Sequence, residues 1–236
     1  MSATLTLKFN VHGDERAAAR ECEADVFLSA FGNTREQLEE EYGPYEDQSL
    51  FLSVTDEHGD TLGACREIVP GPAGLKTLND VSRAPWFVDG PRSARAAGVD
   101  PTRAWDLATL GVRREFRAHR LMVGVALYYG LFRSAYVNGV PAIVSVMDDH
   151  MRRTLGAFDV DCPALPGTST GDYLGSVAST PVYYLSTMLD VQRRRNPDAY
   201  RLLSLGIGLD GVTLPSDEDF YLSDRLAVVE RGVAAA

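Results

Sequence analysis

The residues with the most chemical potential lie close together near the middle of the chain. Arg113, Arg114, Arg117, His119 and Arg120 crowd one short stretch of a protein whose formal net charge is −10. They separate an apolar run, Trp105 to Val112, from a second one that begins at Leu121. A strand that feeds a helix through a basic turn puts exposed backbone N–H groups, the positive end of a helix dipole and cationic side chains at one point, which suits a phosphate-bearing ligand. The alternative for these arginines is an ordinary solvated turn. Asp106 lies inside the preceding run. A carboxylate there takes a proton from a substrate, or is a polar side chain on an exposed strand face, or serves as the structural partner of an arginine. Arg66 has two readings, holding a substrate carboxylate or pairing with a neighbouring acid. Glu46 and Asp47 form an acidic segment that, on its own, reads as a surface loop.

Other reactive types carry less. Cys162 stands in Asp161-Cys162-Pro163 with no histidine or helix start beside it, so nothing lowers its thiol pKa toward a nucleophile. His12, His58, His119 and His150 show no metal-ligand spacing, and no metal is expected. Asp148, Asp149 and His150 read as a helix-cap cluster.

The elements that must position these groups follow from periodicity and turn signals. Thr4 to Phe9 alternates as a strand, and Asp14 to Phe31 is helical with Cys22, Val26 and Ala30 on one stripe. Thr34 and Gln37 spell a capping box for an acidic helix to Glu41, ended by Gly43-Pro44. Leu50 to Thr55 and Thr61 to Val69 are strands joined by a hairpin turn at residues 57–60. Pro85 to Pro101 reads as a long surface excursion, a lid or substrate loop. Arg103 to Val112 is the next strand, and Leu121 to Val137 a helix with Leu121, Val125, Tyr128 and Phe132 on one face. Asn138-Gly139 stops it, and Ala142 to Met147 is a strand buried on both faces. Strand, helix and buried strand make a βαβ unit with parallel strands. Asp148 or Asp149 caps a helix to about Leu155. A Pro, Gly, Ser and Thr-rich stretch runs from Phe158 to Pro181, followed by a strand at Val182 to Leu185 and a helix at Pro197 to Leu205. The expected organisation is one α/β (α+β) domain over residues 1–205, a mixed central sheet flanked by helices, with a loosely attached tail over 206–236.

Bulk properties narrow the function. Hydrophobic residues make up 45% and charged residues 24% of 236 positions, which is ordinary for a soluble globular protein. The negative balance argues against nucleic acid or anionic membrane as a partner. Cys22, Cys65 and Cys162 are an odd, sparse set without a CxxC pair, so a reducing cytoplasm is the expected location. No signal-peptide pattern and no run of transmembrane length is present.

The order of elements resembles the GNAT acyltransferase fold. Val26-Phe27, Tyr45-Glu46-Asp47-Gln48, Leu50-Phe51-Leu52 and Leu62-Gly63-Ala64-Cys65-Arg66 are similar in order to acyl-homoserine-lactone synthases and the related N-acyl amino acid synthases. Trp105 to Val112 looks like the family's central strand, which usually carries an acidic residue near Asp106. Val144 to Met147 and Met151 to Leu155 look like its fifth strand and next helix. The chain departs from the pattern at Glu23, where an arginine is frequent, at Ala108-Thr109-Leu110, where Ser-Arg-Phe is frequent, and at Arg120 and Met122, where the phosphate turn carries small residues. The tyrosine that often serves as general acid has no clear match after Asp149.

The resemblance implies an N-acyltransferase. It would move an acyl group from an acyl-CoA or a carrier-protein phosphopantetheine thioester to the amine of a small molecule or amino acid. No tightly bound cofactor is expected. Asp106, with Glu46 or Asp47, would manage the amine proton. Leu110, Gly111, Val112, Arg113, Arg117, Arg120 and Gly124 would hold the thioester arm, with a backbone N–H of residues 110–112 polarising the carbonyl. Arg66, Trp105, Val144 and Val146 would contact substrate, and Leu107, Leu110, Val144, Val146 and Met147 would line an acyl tunnel or else be plain core. The alternatives are acylation of a peptide or secondary-metabolite amine, and a GNAT-like protein that binds without catalysis.

Overall fold

The computed structural model describes residues 5–116 and 120–222, with the side chains of Phe116 and Arg120 outside that description. Strand β1 (Leu5–Phe9) leads into helix α1 (Gly13–Phe31), which ends where Gly32 takes φ +77° and its N–H bonds the Leu28 carbonyl. Helix α2 (Arg35–Tyr42) starts with the capping box expected from sequence: Thr34 and Gln37 satisfy each other's backbone N–H groups. A short 3-10 turn (Gly43–Gln48) follows.

Strands β2 (Ser49–Thr55) and β3 (Thr61–Ile68) form an antiparallel hairpin. Helices α3 (Lys76–Asp80) and α4 (Gly90–Ala96) come next. Strand β4 (Trp105–Val112), helix α5 (Arg120–Val137) and strand β5 (Ala142–Asp148) make the βαβ unit, and β4 and β5 pair in parallel. Helix α6 (Asp149–Ala157), strands β6 (Gly171–Tyr173) and β7 (Ser176–Leu185), helices α7 (Met188–Arg195) and α8 (Pro197–Leu205), strand β8 (Val212–Thr213) and helix α9 (Asp217–Phe220) complete the described chain.

The strands form one sheet in the order β6-β7-β5-β4-β3-β2-β1-β8. Its main core lies under α5, which packs Val123, Leu127 and Leu131 against Leu7, Leu52, Leu62 and Leu107. The other face carries α1, where Ala19 and Cys22 meet Phe51 and Ala64. A further cluster gathers α3, α4 and β5 around Leu78, Ala94 and Val144. Close approach of helix to sheet depends on glycine. A Cβ on Gly63 would sit 2.7 Å from Val123, and one on Gly111 2.5 Å from Val26 of α1. Gly124 has no such constraint, because its Cβ would stand 4.0 Å from Val112.

Three expectations are corrected. Residues 85–101 are not a lid: α4 buries Ala94 completely, and Ser93 donates a hydrogen bond to the Pro166 carbonyl at 2.6 Å. Packing does not stop at residue 205, since β8 pairs with β1 and Phe220 is fully buried. The rest of the expected tail, 223–236, lies outside the described residues. Leu121, placed by periodicity on the buried face of α5, is 76% exposed at its first turn.

Candidate active site

Strands β4 and β5 pair only at Trp105–Ile143 and Asp106–Val144, then separate. Ser145 still reaches across, donating to the Leu107 carbonyl at 2.8 Å. Beyond it the strands splay around a narrow cavity of about 60 Å³, walled by Leu107, Ala108, Leu110, Val146 and Asp148. Phe27 and Phe31 of α1, Tyr42 of α2 and Tyr173 of β6 close it.

The splay leaves backbone donors free. The Arg113 N–H donates to the Leu62 carbonyl at 2.9 Å, and Gly111 and Thr109 stand opposite Ala64 and Arg66. In an antiparallel ladder, alternate residues turn their N–H to the same neighbour. Thr109, Gly111 and Arg113 therefore serve β3, while the N–H groups of Leu110 and Val112 point to the opposite edge, where β5 has departed. A register shift opposite Arg66/Glu67 makes Ala108 the bulged residue.

Two larger cavities adjoin this cleft. One, of about 680 Å³, is lined by Leu110, Gly111 and Val112 of β4, Leu121 and Gly124 of α5, and Asp148 and Met151 at the start of α6. It shares Phe31, Leu110, Asp148 and Met151 with the cleft. The other, of about 240 Å³, is charged: Arg20, Glu23, Arg35, Glu39, Glu46 and Arg66 are among its walls. It shares Tyr42 with the cleft. The Tyr42 hydroxyl makes a long contact, 3.5 Å, to the Ala108 carbonyl at the bulge, and burial among its neighbours raises its pKa well above the phenol range.

Buried charge frames both sides. Arg66 is 2% exposed; it donates to Glu23 at 3.0 and 2.6 Å and to Glu46 at 3.1 Å, with its guanidinium 4.5 Å from the Phe51 ring centre. Thr109 donates to the same Glu23 at 2.6 Å. Burial pushes the Glu46 pKa up, but the hydrogen bond from Arg16 and the charges of Arg66, Arg16 and Arg20 outweigh it and hold the carboxyl low. On the other side Lys76 donates to Glu41 and Asp80 at 2.7 Å each and to the Tyr173 hydroxyl at 3.2 Å, and Tyr173 donates to Asp80.

Of the residues singled out from sequence, Leu107, Leu110, Gly111, Val112, Gly124 and Val146 meet at the cleft or the adjoining groove. Several others do not. Asp106 is fully buried, and both its oxygens take hydrogen bonds from Thr77: the backbone N–H at 2.6 Å and the hydroxyl at 2.8 Å. It ties the start of α3 to the sheet. Burial raises its pKa to about 7 against those hydrogen bonds. Trp105 is in the α5 core, Met147 in the same core and Val144 in the α3–α4 cluster, so none of them faces the cleft. Arg66 is consumed by its acidic partners rather than open to a substrate carboxylate.

Arg113 donates to Asp25 at 2.6 Å and to the Thr61 carbonyl, which takes it out of the basic cluster. Asp47 is exposed and lines none of these cavities. Arg117 and His119 lie outside the described residues, as does the side chain of Arg120. The cysteines are buried, and burial pushes the Cys22 and Cys162 thiols up to about 12, the opposite of nucleophile activation. No group of metal-binding side chains occurs among the described residues.

Asp148, read from sequence as a helix cap, does cap α6 by accepting from the Met151 N–H at 2.7 Å, yet it also lines both the cleft and the groove. Tyr42, Tyr173 and Lys76 were not singled out. Their juxtaposition depends on α2, α3 and β6 converging on β4, and residues so far apart in sequence leave no local signal.

No protein-family model and no curated protein matches the sequence. Solved structures do match in shape. The N-acyl amino acid synthase FeeM, from uncultured soil microbes, is 13% identical; the match covers 87% of this chain and 96% of FeeM with a TM-score of 0.55. The CoA-dependent acyl-homoserine lactone synthase BjaI, solved with SAM and isopentyl-CoA, is 16% identical, with 97% and 99% covered and a TM-score of 0.53. BjaI with MTA gives 15% identity and a TM-score of 0.54 over the same shares of the two chains, 97% and 99%. The fold is therefore the GNAT-like α/β fold, in the form these two synthases share.

Proposed function

We propose that this chain is an N-acyltransferase that moves an acyl group from a CoA or carrier-protein thioester to the amine of a small molecule or amino acid. The observation that carries this reading is the pair of backbone donors, Leu110 and Val112, directed into the gap where β5 leaves β4. A thioester oxygen placed there accepts a hydrogen bond in the ground state and a stronger one as it gains charge. The groove of Gly111, Val112, Leu121 and Gly124 accommodates a pantetheine arm, and the first turn of α5, whose N–H groups have no partner within the helix itself, is where its phosphate would sit. Arg117 and Arg120 are proposed as further phosphate contacts. Leu107, Leu110 and Val146 form the apolar entry for the acyl group.

The acceptor enters from the charged cavity, past Tyr42. Its mixture of Arg20, Arg35, Glu39 and Glu46 matches a molecule carrying both a cation and an anion. Glu46, held low by its arginines, binds an ammonium well and is a weak base. Asp148 is the carboxylate that lines the cleft itself, and it takes the proton-accepting role first given to Asp106. The amine nitrogen adds to the carbonyl carbon and gives its proton to Asp148 or to water, the C–S bond breaks, and the departing thiolate takes that proton back, directly or through water. An amide and a free thiol result.

The test is mass spectrometry of small molecules extracted from cells expressing the parent protein or the cleft-filling variant Val146→Trp. New N-acylated compounds from the parent alone support the proposal. Purified protein that binds acyl-CoA yet turns over no amine favours the binding-only alternative.

A further inference from the structure

We propose that the cleft between β4 and β5 takes a short acyl group, of about two to five carbons, and that Tyr173 and Phe27 set this limit. The inference rests on the acyl-transfer reading and narrows its donor to short-chain thioesters. The cleft encloses only about 60 Å³, whereas small-molecule sites commonly hold about 300–1,000 Å³. A water-sized group needs about 10–15 Å³, so no more than about four to six heavy atoms fit.

The inner end of the cleft is closed. Strands β4 and β5 are paired at Asp106–Val144, and where they begin to part the Ser145 hydroxyl bridges to the Leu107 carbonyl at 2.8 Å. Leu107 itself is buried in the core under α5. An acyl tail that follows the strands inward from Leu110 therefore meets a hydrogen-bonded stop within three residues. The adjoining groove lies the other way along β4, at Gly111 and Val112, and takes the pantetheine arm rather than the tail. The wall beside the stop is held from behind. Buried Lys76 lies 4.9 Å from the Tyr42 ring centre and 5.7 Å from the Tyr173 ring centre, and it donates to the Tyr173 hydroxyl at 3.2 Å. Tyr173 in turn donates to buried Asp80 and packs against Trp86, with ring centres 5.7 Å apart. Swinging Tyr173 aside to admit a longer chain breaks hydrogen bonds to two buried charges. Phe27 closes the cleft from α1, backed by Phe31 at 5.5 Å between ring centres.

The experiment is calorimetric titration of the full chain with the acetyl, butyryl, hexanoyl, octanoyl and decanoyl esters of CoA, and with the same acyl groups on a carrier protein. Binding is expected to tighten by about fourfold for each methylene from acetyl to butyryl. The gain then stops, and octanoyl and decanoyl donors bind no more tightly than free CoA or unacylated carrier protein. Phe27→Ala and Tyr173→Ala are each expected to extend the gain to hexanoyl or octanoyl. Lys76 and Asp80 keep each other in Tyr173→Ala, and Phe27 is only half-buried, so the pair of variants guards against a loss of folding in either. Affinity that keeps rising through decanoyl in the parent overturns the short-chain limit and leaves acyl transfer standing. A limit that neither variant moves overturns the roles of Tyr173 and Phe27. If no donor binds, the acyl-transfer reading falls and this inference falls with it.

Discussion

Asp106 and Thr77 are joined twice: the carboxylate accepts both the Thr77 backbone N–H, at 2.6 Å, and its hydroxyl, at 2.8 Å. This pair fixes where α3 meets β4, and α3 carries the Lys76 and Asp80 side chains that hold Tyr173 at the cleft. Asp106 is thus a positioning residue. Asp106→Asn, which leaves one buried donor facing an amide, is expected to cost about 1–3 kcal/mol in denaturant unfolding. The pH profile of any acyl transfer is expected to keep its shape.

Asp148→Asn is the contrasting variant. Asparagine caps helices as well as aspartate does, so α6 and the stability of the protein should be retained. If Asp148 accepts the amine proton, turnover falls by roughly a hundredfold or more while thioester affinity stays the same. Steady-state kinetics across pH, with thioester binding measured in parallel, checks this.

Glu67 makes stability depend on pH. It is fully buried on β3, and Ser134 of α5 donates to it at 2.9 Å. Burial raises its pKa from the usual 4.5 to about 8 against that hydrogen bond. Between these two values the folded protein keeps a proton that the unfolded chain has released. The stabilisation is complete below about pH 4.5 and is lost as pH rises through about 8. The limiting slope is about 1.4 kcal/mol per pH unit. Glu67→Gln should flatten this fall in unfolding measured from mildly acidic to alkaline buffer.

Arg66 and Glu23 are almost wholly buried partners, with side-chain exposures of 3% and 4%. Removing one leaves the other charged and unpaired, so Arg66→Met should cost about 3–5 kcal/mol. The double variant Arg66→Met/Glu23→Leu should recover a large part of that loss. A double-mutant cycle in urea measures the coupling.

Gly111 lets α1 lie against β4. Its replacement by alanine drives a methyl to 2.5 Å from the Val26 side chain, an overpacking worth about 1–3 kcal/mol. Adding Val26→Ala should return most of that stability, because it removes the atoms that clash. Thermal unfolding of the single and double variants decides it.

The elements that were legible in the sequence are those with local signals. The Thr34–Gln37 capping box, the helix over Pro197–Leu205 and the βαβ unit all stand where their residues place them. Ser, Thr and Pro181 mask the first part of β7 in the sequence, so only Val182 to Leu185 reads as a strand. Pro181 is tolerated because on that edge it meets only the short bridge at Ala164–Val182, where Leu165 donates to the Pro181 carbonyl and the Leu165 carbonyl is satisfied by the Thr168 N–H and hydroxyl instead. Helix α7 leaves no signal in the sequence because Met188–Arg195 is too polar to show a buried stripe. The strand that carries Leu110 to Val112 is legible as the apolar run before the basic turn. The fate of Asp106, Arg66 and Arg113 was not, because Thr77, Glu23 and Asp25 reach them through tertiary packing alone.

The most direct test of the account is thiol release by the purified protein from a series of acyl-CoA and acyl-carrier-protein donors, with a panel of amino acids and small amines as acceptors. The account predicts release that requires an amine, yields the matching N-acyl product, and is abolished by Val146→Trp. If no donor in the series binds or releases thiol with any acceptor, while the folded protein and its cleft are intact, the cleft between β4 and β5 is not an acyl-transfer site.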